Sequence, residues 1–538
     1  MGATGPAELV GCLVSSVTES RGATSTSTQQ TYGAQPAHPG DKPPDMKKEP
    51  SGSTGVRLVL CVVLFLAPVP PATALNTELP DLGNSAGTLM TPKRERELGK
   101  AFMRSVRRSQ RVMDDPLLAD YIQNLGQGLV QNSSASGTPF TFFLIDDPQI
   151  NAFAGPGGYI GVYTGLLLTT ETESELAAVL AHEIAHVTQQ HLMRAWESAS
   201  QMAIPNAAVL LAAIALGAAV GGDAAAAAAI GGQAALIQQQ INFTRANEKE
   251  ADRVGIDILA ASGHEPRAMP TFFSRMGKAN RVYASKLPEF LMTHPVSTSR
   301  TADAMGRADQ FPYRQTPEDM RYHLARMYLL QKQIDQAEDA IRELRLMLED
   351  GRFRNEAAVR YGIAMAQIRA HKPDEAAAAL DELLKDHPDV TEFTVARAQV
   401  DAQRGSKTAA LKRLEAALAK HPGSYALNIT YAEVALALGD PASATKKLER
   451  FLDFRKDEPR AYKLLSRAAG DQGQQSRGHE YLSEYYYLIG DLKSAILQLE
   501  ITLKRADLNF YESSRLESRL AELKAEQDDE DEKGSTKP

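Results

Sequence analysis

The sequence predicts an α+β domain, mostly helical with a small sheet, followed by an all-α solenoid. Strand and helix patterns mix in residues 91–312, whereas residues 316–525 are helical and repetitive. The length of 538 residues is too great for one ordinary domain, and a hydrophobic share of 43% is enough for packed cores. The formal net charge of −8 argues against a general nucleic-acid binder.

The first part of the chain divides into three predicted segments. Residues 1–45 are rich in Gly, Ser, Thr and Pro without an apolar period, which indicates disorder or an untranslated leader before a second start at Met46. Residues 46–74 carry the pattern of a secretory signal peptide, and residues 75–90 are predicted to be a linker.

The signal pattern consists of a basic start, a short apolar run and a small-residue cleavage motif. Lys47 and Lys48 precede the apolar run Leu58–Leu66, and the cleavage motif ends at Ala74. We therefore predict export and cleavage after Ala74, with an uncleaved N-terminal anchor as the alternative. The exported chain would contain no cysteine, which suits an oxidising compartment.

Two β-type segments precede a helical region. Residues 140–146 are β-rich and bounded by turn residues, and the second segment follows a Gly-Pro-Gly-Gly turn. Because Gly and Pro crowd this second segment, it is predicted to be an edge strand. It comprises Tyr159, Ile160, Gly161, Val162 and Tyr163. The pattern becomes helical from Thr172, with carboxylates in the first turn, where they suit the helix dipole.

A Gly/Ala-rich and nearly uncharged stretch occupies residues 204–237. Residues 204–222 just reach the length that spans a membrane, but Pro205 and the repeated glycines weaken that interpretation. We favour a helical hairpin or flap packed on the domain, and peripheral membrane contact is the alternative.

Residues 316–525 repeat small and apolar residues every 34 positions. The repeated positions are Ala376, Ala410 and Ala444, and in parallel Leu380, Leu414 and Leu448. A 34-residue helix-turn-helix period is typical of tetratricopeptide repeats, whose role is a concave binding surface; an irregular helical bundle is the alternative. Residues 526–538 are strongly acidic and are predicted to be a disordered, solvated tail rather than an interaction tail.

The strongest chemical signal is His182-Glu183-Ile184-Ala185-His186. On a helix, histidines at i and i+4 point the same way, which suits two ligands of one tetrahedral Zn²⁺ ion. Glu183 lies on the adjacent flank and is predicted to act as the general base toward an attacking water. Two unrelated surface histidines are the alternative.

A catalytic zinc site needs a third protein ligand and an open fourth position. Glu248 and Asp252 are i and i+4 on a charged helical stretch, so they share a face, whereas Glu250 is rotated away. Glu248 is the candidate ligand, with Asp252 one turn along, near the substrate or a ligand histidine. His191 is a rival ligand, but its i+5 spacing from His186 points it elsewhere on a continuing helix.

With these residues the chain resembles the gluzincin peptidases that include HtpX and the CAAX prenyl proteases. The Asn151-Ala-Phe-Ala segment, His294-Pro295 with Arg300, the signal peptide and the repeats narrow the resemblance to the branch concerned with outer-membrane β-barrels. The fold that this resemblance implies is a zincin-like metallopeptidase domain followed by the tetratricopeptide solenoid.

The resemblance implies a periplasmic endopeptidase that binds one Zn²⁺ through His182, His186 and Glu248. It also implies Glu183 as the catalytic acid/base, Asp252 as a proton donor or transition-state helper, and substrate pairing along Tyr159–Tyr163. The substrates would be unfolded or stalled outer-membrane proteins, and the repeats would recruit them or the β-barrel assembly machinery. The alternatives are a chaperone or binding module with a latent zinc site, and a membrane-embedded protease that spans through residues 204–222.

His294 and Arg300 have two interpretations. A Thr-His-Pro turn can simply cap a helix. Alternatively, His294 reaches the open zinc position and makes the enzyme latent, and Arg300 holds a carboxylate in the cleft. Restraint of a protease in the periplasm motivates this second hypothesis.

Overall fold

The computed structural model describes residues 91–135, 137–195, 234–282, 289–313, 318–505 and 508–535. The predicted leader, signal peptide and linker lie outside these residues, as does the predicted hairpin or span up to residue 233. The described residues all fall within one compact unit, so the predicted peptidase and repeat regions pack together.

Two capped helices begin the described chain. Helices α1 (Pro92–Ser109) and α2 (Pro116–Val130) each start with proline at the first turn. Thr91 and Asp115 are the N-caps, and their side chains accept hydrogen bonds from backbone N–H groups of the first turn.

A three-stranded sheet follows, formed by β1 (Thr141–Ile145), β2 (Ala152–Ala154) and β3 (Tyr159–Tyr163). Its strand order is β1-β3-β2, with β3 parallel to β1 and antiparallel to β2. The prediction that Tyr159–Tyr163 is an edge strand is therefore wrong: this segment is the central strand, and all five of its residues are buried. It offers no free edge to a substrate.

The glycines that suggested an edge have other reasons. A Cβ atom on Gly161 would lie 2.5 Å from the Phe153 ring, so glycine there allows two aromatic side chains to close over the central strand. Gly158 has φ +78°, and a Cβ on it would lie 2.1 Å from the carbonyl oxygen of Pro139. Glycine is thus needed for close packing and for the turn before β3.

Helices complete this part of the fold around the buried helix α4. Their bounds are Thr164–Thr169 for α3, Glu173–Thr188 for α4, Ala234–Ala261 for α5, Ala268–Val282 for α6, Glu289–Thr293 for α7 and Thr298–Ala308 for α8. Thr172 caps α4 and accepts a hydrogen bond from the N–H of Glu175. Helix α4 is buried along almost its whole length, so its side chains are held rigidly.

A buried carboxylate links the start of α4 to the repeats. Glu173 accepts hydrogen bonds from the Tyr121 hydroxyl (3.2 Å) and from the backbone N–H of Asp319 (3.3 Å). Burial, together with the nearby charge of Asp319, raises the pKa of Glu173 to about 7.

We expect Glu173 to make the metal-free chain less stable as pH rises. The folded state keeps the proton up to a pKa of about 7, whereas the unfolded chain releases it near the ordinary value of 4.5. The free energy of unfolding should therefore fall between these pH values, by up to about 3 kcal/mol. Denaturant unfolding at pH 5 and pH 8 should show a fall in stability that is larger in the parent than in Glu173→Gln, because the other titrating groups are common to both chains.

The matched control is Glu97→Gln, because the Glu97 side chain is 65% exposed. This variant should keep the pH dependence of the parent. An equal difference between pH 5 and pH 8 in the parent and in Glu173→Gln would contradict the assignment.

The remaining described helices form the repeat array. Their bounds are Met320–Gln333 (α9), Ala337–Glu349 (α10), Glu356–Arg369 (α11), Pro373–Asp386 (α12), Thr391–Gln403 (α13), Lys407–Lys420 (α14), Tyr425–Leu438 (α15), Pro441–Leu452 (α16), Pro459–Asp471 (α17), Gln475–Ile489 (α18), Leu492–Leu503 (α19) and Phe510–Ser535 (α20). The small and apolar residues at the 34-residue period are all fully buried where neighbouring helices meet, namely Ala376, Leu380, Ala410, Leu414, Ala444 and Leu448. The predicted fold class, an α+β domain with a small sheet followed by helical repeats, is confirmed.

Helix α2 packs against two helices of the repeat array, α9 and α15. Asp120 of α2 caps α15, since its carboxylate accepts hydrogen bonds from the N–H groups of Tyr425 (3.1 Å) and Ala426 (3.0 Å). Arg455 pairs with the same carboxylate at 3.2 Å. Part of the surface predicted to bind partners is therefore covered by the chain itself.

The C-terminal tail differs from its prediction. Residues from 526 onward were predicted to be disordered, but α20 continues through them to Ser535. Leu516 and Leu523 are buried on the inner face of α20, and Glu526 pairs with Arg104 of α1. These contacts hold α20 against the rest of the protein, and the acidic residues continue this helix. Among the described helices, none combines the length and the apolar character that crossing a membrane requires.

Candidate metal centre

Three parts of the chain bring four polar side chains to one buried point. Helix α4 carries His182 and His186, helix α5 carries Glu248, and His294 follows the short helix α7. One ligand atom from each of these residues lies within 4.8 Å of the others. The residues that sequence spacing selected from α4 and α5 thus meet.

The separations among the four residues are those of a small coordination shell. Nε2 of His182 lies 3.0 Å from Nε2 of His186, 3.2 Å from Nδ1 of His294 and 3.5 Å from Glu248. Glu248 lies 3.4 Å from His186 and 3.1 Å from His294. For ligand distances of about 2.0–2.1 Å, the edges of a tetrahedron around zinc are roughly 3.3 Å. Five of the six separations are close to these edges, and the sixth, between His186 and His294, is within 4.8 Å, so the cluster approximates the shell of one metal ion.

The electrostatics of the cluster favour a cation. Burial lowers the pKa of His186, which favours the neutral imidazole that a metal ligand requires. Burial also opposes charge on His182, but the carboxylates of Asp252 and Glu248 raise its pKa to about 10. Burial by itself would raise the pKa of Glu248. The charge of His294 and hydrogen bonds from the histidines nevertheless hold this pKa well below its usual range.

Asp252 lies beside a ligand histidine. One of its oxygens is 3.0 Å from Nδ1 of His182, and Arg300 donates two hydrogen bonds of 2.7 Å to its two oxygens. Although burial raises it, these partners lower the pKa of Asp252, so the carboxylate is ionised. Asp252 thus lies near a ligand histidine, one of the two positions predicted for it, and its role as proton donor or transition-state helper stays a prediction.

Arg300 joins several parts of the centre. Beyond Asp252, its guanidinium lies 2.9 Å from Glu248 and donates a hydrogen bond of 2.9 Å to the carbonyl oxygen of Pro295. The cap of helix α8 is Ser297, which accepts a hydrogen bond from the N–H of Arg300. His294 is therefore not the cap, and its side chain is in the cluster.

Glu183 lies next to the cluster. It is 1% exposed, and its Oε1 is 3.4 Å from Nε2 of His294. That oxygen has no hydrogen-bond partner among the residues that the structure describes. A buried carboxylate oxygen without a hydrogen-bond partner lowers the stability of the folded state. Its presence here indicates that a ligand or a reacting group binds next to Glu183.

His191 was not expected at the centre. Helix α4 ends at Thr188, and Gln190 has φ 53°, so the chain turns back and brings Nδ1 of His191 within 2.9 Å of Nδ1 of His186. Burial and the neighbouring His186 lower the pKa of His191 to about 4. The i+5 spacing does not direct His191 away from His186, because helix α4 ends before His191.

The comparisons with known proteins agree with this geometry. Residues 116–308 match peptidase family M48, and residues 361–425 and 402–468 match tetratricopeptide repeats. The beta-barrel assembly-enhancing protease of Yersinia pestis is 36% identical over 446 residues, which cover 83% of this chain and 91% of that protein. Its Escherichia coli (strain K12) counterpart is 34% identical, covering 86% of this chain and 95% of that protein.

Two further similarities are partial. The mitochondrial metalloendopeptidase OMA1 of Danio rerio is 31% identical over 248 residues, which cover 44% of this chain and 51% of that protein. The crystal structure of a tetratricopeptide repeat protein from Parabacteroides merdae covers 53% of this chain and 97% of its own, with 14% identity and a TM-score of 0.27, too low to say anything about function.

The fold and the cluster thus define a metalloprotease built on a two-histidine helix. The chain belongs to peptidase family M48 and, within it, to the family of the beta-barrel assembly-enhancing proteases.

Proposed function

We propose that this metalloprotease is a periplasmic zinc endopeptidase that degrades misfolded outer-membrane proteins and, as a chaperone, assists their assembly. The observation that carries the proposal is the buried cluster that could hold a metal ion, beside the Oε1 atom of Glu183, which has no hydrogen-bond partner among the described residues. The printed name of the relatives supports the class of substrate. The signal-peptide pattern of residues 46–74 supports export.

In this proposal His182, His186 and Glu248 hold one zinc ion. When bound, zinc supplies Lewis-acid polarisation of the scissile carbonyl. Glu183 accepts the proton of the attacking water on a carboxylate oxygen and then delivers it to the leaving nitrogen. Asp252 orients His182 through Nδ1, and Arg300 keeps Asp252 ionised and fixed.

His294 takes the fourth position of the tetrahedron and makes the resting enzyme latent. Its Nδ1 lies 3.2 Å from His182 and 3.1 Å from Glu248, while its Nε2 faces Glu183. In that position the imidazole excludes water from the place where Glu183 needs it. Release of the His294 side chain from this position would open the site.

The free edge of β2 would take the substrate. Asn151 and Gly155 form backbone hydrogen bonds with β3, so Ala152 and Ala154, which alternate with them, direct backbone groups away from the sheet. The N–H of Ala152 donates to the Asn151 side chain at 2.9 Å, so a substrate strand would have to displace that side chain. Within the described residues no strand pairs with that edge, and β2 packs against α4, which carries the metal ligands. Strand addition suits a protease that recognises backbone, since a stalled barrel protein exposes unpaired strands.

We expect His294→Ala to raise cleavage of an unfolded outer-membrane barrel protein. If the state with His294 in the cluster is about 1.4 kcal/mol more stable than the open state, roughly a tenth of the molecules are open. Removing the His294 side chain should then increase the cleavage rate about tenfold. Gel-based cleavage assays should compare the full chain and the variant on the unfolded protein and on the same protein folded in detergent. The folded barrel should be spared, because its strands are all paired.

The control is His264→Ala, which removes a histidine of the same domain that lies outside the cluster. It should cleave at the parental rate. An unchanged or lower rate for His294→Ala would dispose of the latch, and equal cleavage of folded and unfolded barrels would count against the substrate class.

Two alternatives predict other outcomes. A binding module with a latent zinc site would bind unfolded barrels without cleaving them, even in His294→Ala. A membrane-embedded protease spanning through residues 204–222 would stay with membranes in alkaline carbonate, whereas the proposed exported enzyme would be released. The repeats would recruit stalled barrels or the assembly machinery through the surfaces that α2 leaves uncovered.

A further inference from the structure

His191 contacts His186, one of the two proposed metal ligands on helix α4. Its side chain is 4% exposed, and its Nδ1 lies 2.9 Å from Nδ1 of His186. The other nitrogen of His186, Nε2, faces His182 and Glu248 inside the cluster. His186 therefore has one nitrogen on the metal side and one on the His191 side.

The far side of His191 is also fixed. Its Nε2 lies 3.1 Å from a carboxylate oxygen of Glu250, and Arg194 donates a hydrogen bond of 2.8 Å to that same oxygen. Glu250 is the acid that helix spacing directs away from Glu248. The contacts therefore run from the partly exposed Arg194 and Glu250, through the buried His191, to the proposed ligand His186.

The positions of the protons follow from these contacts. An ionised carboxylate only accepts hydrogen bonds, so Nε2 of His191 carries a proton. For Nε2 of His186 to coordinate a metal ion it must carry no proton, so the proton of that ring lies on Nδ1. Nδ1 of His186 then donates to Nδ1 of His191, which lies 2.9 Å away.

We propose that His191, fixed by Glu250 and Arg194, is a positioning residue that sets the tautomer and orientation of the metal ligand His186. The inference rests on the proposed function, because it assigns a role toward the zinc ion. Each of the two histidines on α4 has a neighbour at its Nδ1 atom: an Asp252 oxygen lies 3.0 Å from that of His182, and Nδ1 of His191 lies 2.9 Å from that of His186. Loss of such a partner typically weakens metal affinity 10–100-fold.

The test measures zinc affinity of the full chain by competition with a chromophoric chelator. His191→Leu removes the acceptor, and we expect it to bind zinc at least about tenfold more weakly than the parent. His191→Gln should recover most of the affinity, because its amide oxygen accepts from His186 while its NH₂ group donates to Glu250. This rescue distinguishes hydrogen bonding from packing, which both substitutions disturb.

The matched control is His323→Leu. His323 is also buried and also pairs with a carboxylate, Glu318 at 2.6 Å, but it lies in α9 outside the cluster. Its replacement should leave zinc affinity unchanged. Thermal unfolding of the metal-free variants should confirm that each one folds before its affinity is compared.

The outcomes separate this inference from the proposed function. Parental zinc affinity in His191→Leu, or equal weakening in His191→Leu and His191→Gln, would overturn the positioning role and leave the zinc site intact. A parent chain that binds no zinc would overturn the proposed function together with the inference.

Discussion

Replacing Glu183 with glutamine is expected to reduce peptide-bond hydrolysis at least about 100-fold while leaving zinc bound. Glutamine keeps the shape of the side chain but cannot accept the proton of the attacking water, and general-base catalysis typically contributes 10²–10⁴-fold. The measurement is the rate of casein cleavage, in the parent and again in the His294→Ala background, where the site is open. Zinc content should be determined on the same samples.

Glu265→Gln is a suitable control for this variant. Glu265 is a carboxylate of the same domain that pairs with Arg267 at 3.1 Å, outside the cluster. It should cleave at the parental rate. A Glu183→Gln variant that cleaves as fast as the parent would remove Glu183 from the mechanism, and one that has lost zinc would reassign it to metal binding.

Replacing Arg300 with methionine is expected to lower the free energy of unfolding of the metal-free chain by about 3 kcal/mol. Arg300 is 4% exposed and lies within 2.9 Å of the carboxylates of both Asp252 and Glu248. Removing one partner of a buried ion pair leaves charge uncompensated, which typically costs 3–5 kcal/mol. Denaturant unfolding after chelation measures the effect without a bound cation that would offset it.

The comparison variant is Arg253→Met, on helix α5 next to Asp252. Arg253 pairs with Asp303 at 3.0 Å, but these side chains are 54% and 34% exposed, so the change should cost less than about 1 kcal/mol. Similar losses in the two variants would contradict the account of Arg300 as the buried counter-ion of the centre.

The site residues on helices α4 and α5 could be predicted from the sequence, because the direction of a side chain on a helix depends only on its spacing from nearby residues. Histidines at i and i+4 and acids at i and i+4 face one way wherever their helices pack, and the 34-residue period predicts the repeats in the same manner. His294 could only be weighed as an alternative, since a turn does not reveal where its side chain points. The prediction for His191 failed because a single residue with positive φ, Gln190, ends the regular spacing.

The edge strand could not be predicted because strand order is not local. Gly and Pro before β3 suggested a strand at the border of the sheet, yet β1 pairs in parallel with β3 and leaves the short β2 outside. The glycines instead allow the aromatic rings of Phe143 and Phe153 to approach Gly161. The packing of α2 on the repeats likewise depends on contacts between residues some 300 positions apart, such as Asp120 and Ser424.

The most direct test of the central claim is the zinc content of the full chain beside Glu248→Gln and Glu183→Gln, after reloading and removal of free metal. The account predicts about one zinc per chain in the parent and in Glu183→Gln, and little in Glu248→Gln, because an amide is a far weaker zinc ligand than a carboxylate. A parent without zinc, or a Glu248→Gln variant that retains it fully, would contradict the assignment of His182, His186 and Glu248 as the metal centre.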